Sequence, residues 1–160
     1  MIKLEIFSFA DVLSGAIRRF ANYYQKELSE LCFVFVCHGR RNFAGHKKIE
    51  IETRKLLNYK VVCHRMVMEE LGKIETINGV FKVSDKEVAL FHFRTGYDPS
   101  SFTTEACWQA RRQIEISRAI KSPSLEVLKM FLYFNFNLIH QLVDQLISTL
   151  YSMKWDALIR

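Results

Sequence analysis

The chain has 160 residues, 23 Lys and Arg against 17 Asp and Glu for a formal charge of +6, and a hydrophobic fraction of 49%. That length suits one domain with a sizeable core, and so apolar a chain is not globally disordered. The positive surplus leans toward anionic partners and carries no information about fold.

Residues Ser8 to Glu30 read as an amphipathic helix, with Phe9, Leu13, Ala16, Ile17, Phe20 and Tyr24 recurring at helical spacing. Ser8 followed by Asp11 resembles a capping box. Cys32 to Cys37 is wholly apolar and short, the pattern of a strand buried on both faces in a parallel sheet. The loop from His38 to Lys48 carries four Lys or Arg and no acid. Ile49, Ile51, Leu56 and Leu57 then suggest a helix that ends at Asn58-Tyr59.

Lys60 to Arg65 is a second strand candidate, and Met66 to Gly72 allows one or two helical turns stopped by the glycine. Asn78-Gly79 signals a small hairpin within Ile74 to Val83, and Ser84-Asp85-Lys86 a second turn. Val88 to Phe93 is an apolar, β-prone run that breaks abruptly into Arg94-Thr95-Gly96-Tyr97. Thr103 or Thr104 can cap a helix through Trp108, Ala110, Ile114 and Ile116 to Ser117. Ala119 to Ser124 is extended before and around Pro123. Leu138, Leu142, Leu146, Leu150 and Met153 mark a last helical stripe. This alternation of strand and helix predicts an α/β fold, a Rossmann-like three-layer domain with a mainly parallel sheet, flanked by N- and C-terminal helices. The divisions expected are residues 1–31, a helical segment; 32–124, the sheet domain; and 125–160, a second helical segment.

Several chemistries lack their signatures. Gly39 and Gly45 are spaced one residue too far apart for a P-loop, and there is no G-x-G-x-x-G. Cys32, Cys37, Cys63 and Cys107 form no C-x-x-C pair, and the five histidines show no ligand spacing. Reduced thiols in a cytoplasmic protein are the plain expectation. No signal peptide is expected, since Glu5 and Asp11 interrupt the apolar start. The stretch from Met130 to Met153 is too polar for a membrane span. Glu69 and Glu70 read as helix surface.

The turn after the Val88–Phe93 strand offers a binding chemistry. Ligands of open α/β sheets sit at the carboxyl ends of the strands. An arginine fork at Arg94 can hold a carboxylate bidentately. Thr95 and Tyr97 add hydroxyls, and Gly96 permits positive φ and close approach. The plainer alternative is a strand-ending turn in which Arg94 pairs with Asp98.

Three segments together, Glu87 to Tyr97, Trp108-Gln109-Ala110-Arg111, and Glu115 to Ser124, resemble the eukaryotic glutathione synthetase family. That family has a strand ending in Arg-x-Gly-Tyr, a Trp-x-Ala-Arg helix and an Ala-x-Lys-Cys-Pro-Ser turn, with Ser122 here in place of the cysteine. Phe33 to Cys37 followed by Arg41-Asn42 resembles the family's strand and Glu-Arg-Asn loop, and Leu150-Tyr151-Ser152 is similar to its Gly-Leu-Tyr-Ser segment. The resemblance implies a substrate-binding domain for γ-glutamylcysteine or glutathione, with Arg94, Thr95, Gly96, Tyr97, Arg41 and Asn42 as substrate-binding residues. Two positions depart from the pattern: Arg40 replaces an acid and His46 replaces a glutamine. A reversed charge where a substrate ammonium would sit weakens binding.

The family enzyme joins γ-glutamylcysteine to glycine with ATP and Mg²⁺ held in an ATP-grasp lobe. No counterpart of that lobe, or of the Ala-Gly-Thr-Lys-Lys-Val-Gln-Gln segment expected soon after Pro123, is present in this sequence. The expectation is a domain that binds peptide weakly and does not ligate alone, with no catalytic residue, metal or cofactor of its own. The first alternative is an assembly partner, docking through Leu138 to Met153 on a full-length synthetase or a second copy. The last is a basic anion or nucleic-acid binder built on Arg40, Arg41, Lys47 and Lys48. No membrane partner is expected.

Overall fold

The computed structural model describes residues 8–37, 44–97 and 99–130. The chain divides into two compact units, Met1–Ser122 and Pro123–Arg160. The second unit is helical over 125–130, where Ser124 caps the first turn: its Oγ accepts from Val127 N at 3.4 Å and its carbonyl from Leu128 N at 3.0 Å. The apolar stripe from Leu138 to Met153 lies outside the described residues.

In the first unit, helix α1 (Phe9–Tyr23) begins with the capping box expected from Ser8 and Asp11. Asp11 N donates to Ser8 Oγ at 3.3 Å, and Ser8 N to Asp11 Oδ2 at 2.8 Å. The helix stops seven residues before Glu30, where the periodicity had placed its end. Gln25 adopts φ +52°, and Lys26 N reaches back to Ala21 O at 2.9 Å. This left-handed closure uses up the last carbonyls, and it forms without the glycine that normally announces it.

Strand β1 (Leu31–Val36) is buried at every residue, as a strand covered on both faces must be. Helix α2 (Ala44–Leu56) is followed by Asn58 and Tyr59, both at positive φ. Strand β2 (Val62–Met66) and the single-turn helix α3 (Met68–Leu71) come next. Gly72 ends α3 with φ −65°, so left-handed freedom is not its purpose. A Cβ there would stand 2.1 Å from Ala106 O of helix α4 (Glu105–Ile116). The glycine is needed for the close approach of α3 to α4.

Asn78 (φ +52°) and Gly79 (φ +77°) form the expected two-residue turn, closed by Ile77 and Val80. It does not extend into a ladder. The antiparallel hairpin is instead β3 (Lys82–Val83) with β4 (Lys86–Phe93), turned by Ser84 and Asp85 at positive φ. Thr104 caps α4, its Oγ1 accepting from Cys107 N at 3.4 Å, and β5 (Ile120–Ser122) completes the sheet.

Among the described residues the sheet has five strands. Parallel neighbours run β2-β1-β4-β5, and the short β3 pairs antiparallel with the start of β4. The fold is therefore α/β, a mainly parallel sheet with helices on both faces. Leu31, Phe33 and Phe35 of β1 pack beneath Leu13, Ile17 and Phe20 of α1. Cys32, Val34 and Val36 face Cys107, Ala110 and Ile114 of α4. Each such large side chain removed from water contributes about 1.5–3 kcal/mol.

One irregularity in β4 sets the site. Cys32 pairs with Val88, but Phe33 pairs with Leu90, so Ala89 is an extra residue. Ala89 and Leu90 both lie with the α1 core, while Phe91 and Phe93 lie with the α4 core. A strict alternation from Val88 would have sent Phe91 and Phe93 to the other side. The bulge thus re-aims the end of β4.

Candidate functional site at the ends of β1 and β4

Two adjacent parallel strands send their chains to opposite faces of the sheet here. After β1 the chain proceeds to α2, which packs on α1; after β4 it proceeds to α4, which packs on α3. Such a divergence opens a crevice at the carboxyl ends of the strands. Three strand ends are tied at that level: Arg94 N donates to Val36 O at 2.8 Å, and Cys37 N to Met66 O at 2.9 Å.

The turn at Arg94 is built as the residue types suggest. Gly96 has φ +80°, and a Cβ there would also stand 2.9 Å from Met68 Cε and 3.4 Å from Phe102 Cζ. Thr95 is 8% exposed. Tyr97 is 44% exposed, and its hydroxyl donates to Phe93 O at 2.5 Å. That bond closes the turn and leaves the phenol oxygen as an acceptor. The Arg94 side chain is exposed and makes no hydrogen bond or ion pair among the described residues. Asp98, its suggested local partner, lies outside them.

Behind the turn stand two supports from the Trp108 to Arg111 segment. The Arg111 guanidinium sits 4.1 Å from the centre of the Phe93 ring, and its Nη2 is 2.8 Å from Glu115 Oε1. Arg111 is only 5% exposed, so its charge is held by a ring face and a carboxylate together. Trp108 stacks on Phe102 with ring centres 4.4 Å apart, and Phe102 fills the space a Cβ at Gly96 would approach.

Beside the turn lies a cleft of about 350 Å³ lined by Cys37, Val67, Met68, Glu69, Thr95, Ser101 and Thr103. The Cys37 thiol is pushed up from its ordinary value by burial, against the lowering effect of the Arg65 and Arg94 charges. Three hydroxyls, one thiol and one carboxylate are a hydrogen-bonding surface for a small polar ligand. The structure thus places Thr95 in a cleft wall and Arg94, Gly96 and Tyr97 in the same turn. Arg40, Arg41 and Asn42 lie outside the described residues. His46 falls in the first turn of α2, and its side chain is likewise outside the description.

Sequence reasoning missed Cys37, Glu69, Ser101 and Thr103 as lining residues. Glu69 and Glu70 look alike in sequence. Glu70 turns back to accept from Val67 N at 3.3 Å, while Glu69 lines the cleft. Only the tertiary position of α3 distinguishes them. Among the described residues no three His, Cys, Asp or Glu side chains converge in a metal-binding group. No helix among them is long and apolar enough to cross a membrane.

A family model described as eukaryotic glutathione synthase matches residues 31–128. The glutathione synthetase of Dictyostelium discoideum is 30% identical over 71% of this chain and 25% of its own length. The chloroplastic glutathione synthetase of Solanum lycopersicum is 40% identical over 70% of this chain and 22% of its own. That of Xenopus laevis is 37% identical over 54% of this chain and 18% of its own. The chain therefore spans about a quarter or less of the length of these relatives. The matched region contains every described strand, the Arg94 turn and its supports, and the chain belongs to the eukaryotic glutathione synthase family.

Proposed function

We propose that this chain is a substrate-binding domain for γ-glutamylcysteine or glutathione, with Arg94 anchoring a ligand carboxylate. The observation that carries this reading is the Arg94 guanidinium, exposed and without a partner among the described residues, beside a hydroxyl-lined cleft at the divergence of β1 and β4. Thr95 lines the same cleft, Gly96 supplies the positive φ that turns the chain there, and the Tyr97 oxygen accepts from a ligand N–H. Arg41 and Asn42 belong to the loop that follows β1, and we assign them to the ligand's other side. Arg40 and His46 tune that side less favourably than the acid and glutamine of the family pattern.

ATP and Mg²⁺ serve the complete family enzyme. In this reading the domain holds the peptide, and the ligation chemistry belongs to the lobe that carries ATP and Mg²⁺. The same reading places it in the cytoplasm, where its four free thiols stay reduced.

Calorimetry of the full chain with each peptide tests the reading. Binding in the millimolar range or tighter is expected, and Arg94→Ala should weaken it at least about tenfold. Absence of heat at millimolar ligand, or an unchanged affinity in Arg94→Ala, would overturn it.

A second reading, an assembly partner of a full-length synthetase or of a second copy, is favoured by the outer face of α4. Trp108 and Ile116 are exposed there, on a groove of about 470 Å³ shared with Gln109, Arg112 and Gln113. Sedimentation giving a monodisperse monomer that binds no synthetase would remove it.

A further inference from the structure

The cleft beside the Arg94 turn holds one acid, Glu69. Its neighbour Glu70 is spent on the backbone of Val67. Glu69 is exposed and makes no hydrogen bond or ion pair among the described residues. Arg94, likewise without a hydrogen bond or ion pair from its side chain among the described residues, directly precedes Thr95 of the cleft wall. Thr95, Ser101 and Thr103 add hydroxyls to the lining. A guanidinium and a carboxylate, each without a partner among the described residues, beside one small cleft are an unusual surface for a simple anion, because the carboxylate repels it. They match a ligand that carries both signs.

The sequence sharpens the point. The stretch from His38 to Lys48, which runs on from β1 into the start of α2, carries Arg40, Arg41, Lys47 and Lys48 and no acid. That stretch therefore has no carboxylate side chain to offer a ligand ammonium.

We infer that Glu69 is the specificity-determining residue of this cleft, taking the ammonium of a zwitterionic amino-acid or γ-glutamyl ligand whose carboxylate is held by Arg94. This rests on the peptide-binding reading above and adds the residue that selects the free amine. A charge-assisted N–H···O bond to a carboxylate in a cleft discriminates a protonated amine from an amide, which keeps one donor and loses the charge. The site so read also disfavours polyanions of similar size.

The experiment uses the full chain and two probes, γ-glutamylcysteine and its N-acetylated form, in calorimetry at fixed ionic strength. The wild type should prefer the free amine by about tenfold or more. Glu69→Gln should abolish that preference, weakening the free-amine ligand while leaving the acetylated one no weaker. Glu70→Gln, which alters the same short helix, should keep the preference. If the wild type binds and Arg94→Ala weakens both probes, yet Glu69→Gln retains the wild-type preference, the role of Glu69 is overturned and the peptide site stands. If neither probe binds the wild type, both readings fall.

Discussion

The Tyr97 hydroxyl donates to the carbonyl of Phe93 at 2.5 Å, so the turn that follows β4 is locked to the strand it leaves. Phe93 in turn lies under the Arg111 guanidinium. The exposed Arg94 is therefore carried by a closed four-residue bridge resting on a buried ring. Tyr97→Phe removes the bond and keeps the ring. We expect it to lower stability by about 1 kcal/mol and to weaken peptide binding less than Arg94→Ala does, with denaturant midpoint and calorimetry as the two measurements. Arg94→Ala should leave the midpoint unchanged, since its side chain touches no described partner. A large loss of stability in Arg94→Ala would contradict the geometry.

Three glycines should respond to alanine in opposite ways. Gly72→Ala drives a Cβ to within 2.1 Å of the Ala106 carbonyl oxygen, a backbone atom that cannot swing aside. Separating α3 from α4 should cost about 3 kcal/mol or more. Gly96→Ala meets both a positive φ and Met68 Cε, and should cost less because Met68 can re-orient. Gly15, inside α1, has open space where a Cβ would stand, and alanine there should stabilise by about 0.5–1 kcal/mol. Urea unfolding of the three variants gives the order directly.

Arg118 grips Glu87 through two bonds, Nε to Oε1 at 2.6 Å and Nη2 to Oε2 at 2.8 Å. Its backbone N also donates to Gly79 O at 2.8 Å, which pins the Asn78-Gly79 turn to the segment before β5. The Glu87 side chain is 6% exposed and that of Arg118 29%. Arg118→Met should destabilise by about 3 kcal/mol, the lower part of the range for stranding a buried charge, because Arg118 is partly in water. Replacing Glu87→Leu as well should recover part of the loss, a coupling that a double-mutant cycle reads.

Two kinds of side chain bend the pH dependence of stability. Burial pushes the Cys32 thiol from 9.0 up to about 12 and raises Cys63 as well. The unfolded chain loses these protons first, so their contribution is whole below pH 9 and is lost as pH rises toward 12. Each thiol removes up to about 1.4 kcal/mol per pH unit in that window. His64 moves the opposite way: burial, and then the Lys86 charge, lower it from 6.5. The unfolded chain takes up that proton first, so stability falls as pH drops below 6.5. Urea midpoints at pH 5, 7.5 and 10 should show both losses. Cys32→Ala should flatten the alkaline limb, and His64→Gln the acid one.

Much of this fold is legible in the residues because local rules and packing agree. Leu31 to Val36 is apolar throughout and is buried throughout. Ser8 with Asp11 starts α1, and Thr104 starts α4, by side-chain bonds that spacing alone reveals. The Arg94 turn was legible because Gly96 and the break in apolarity mark it. What escaped depends on positions far apart in sequence. The early end of α1 relies on Gln25, a residue with no special preference for φ +52°. The bulge at Ala89 is invisible in an apolar run where every phase looks alike. Gly72 reads as a helix stop, yet its cause is Ala106, on another helix. Glu69 differs from Glu70 only by which side of a single turn meets the cleft.

The central claim, that a small peptide sits at the ends of β1 and β4, is tested most directly by backbone amide NMR of the full chain titrated with γ-glutamylcysteine. Shifts concentrated at Cys37, Val67 to Glu69, Arg94 to Tyr97 and Ser101 to Thr103, and lost in Arg94→Ala, are predicted. Shifts spread over the outer face of α4, or none at millimolar peptide, would contradict it.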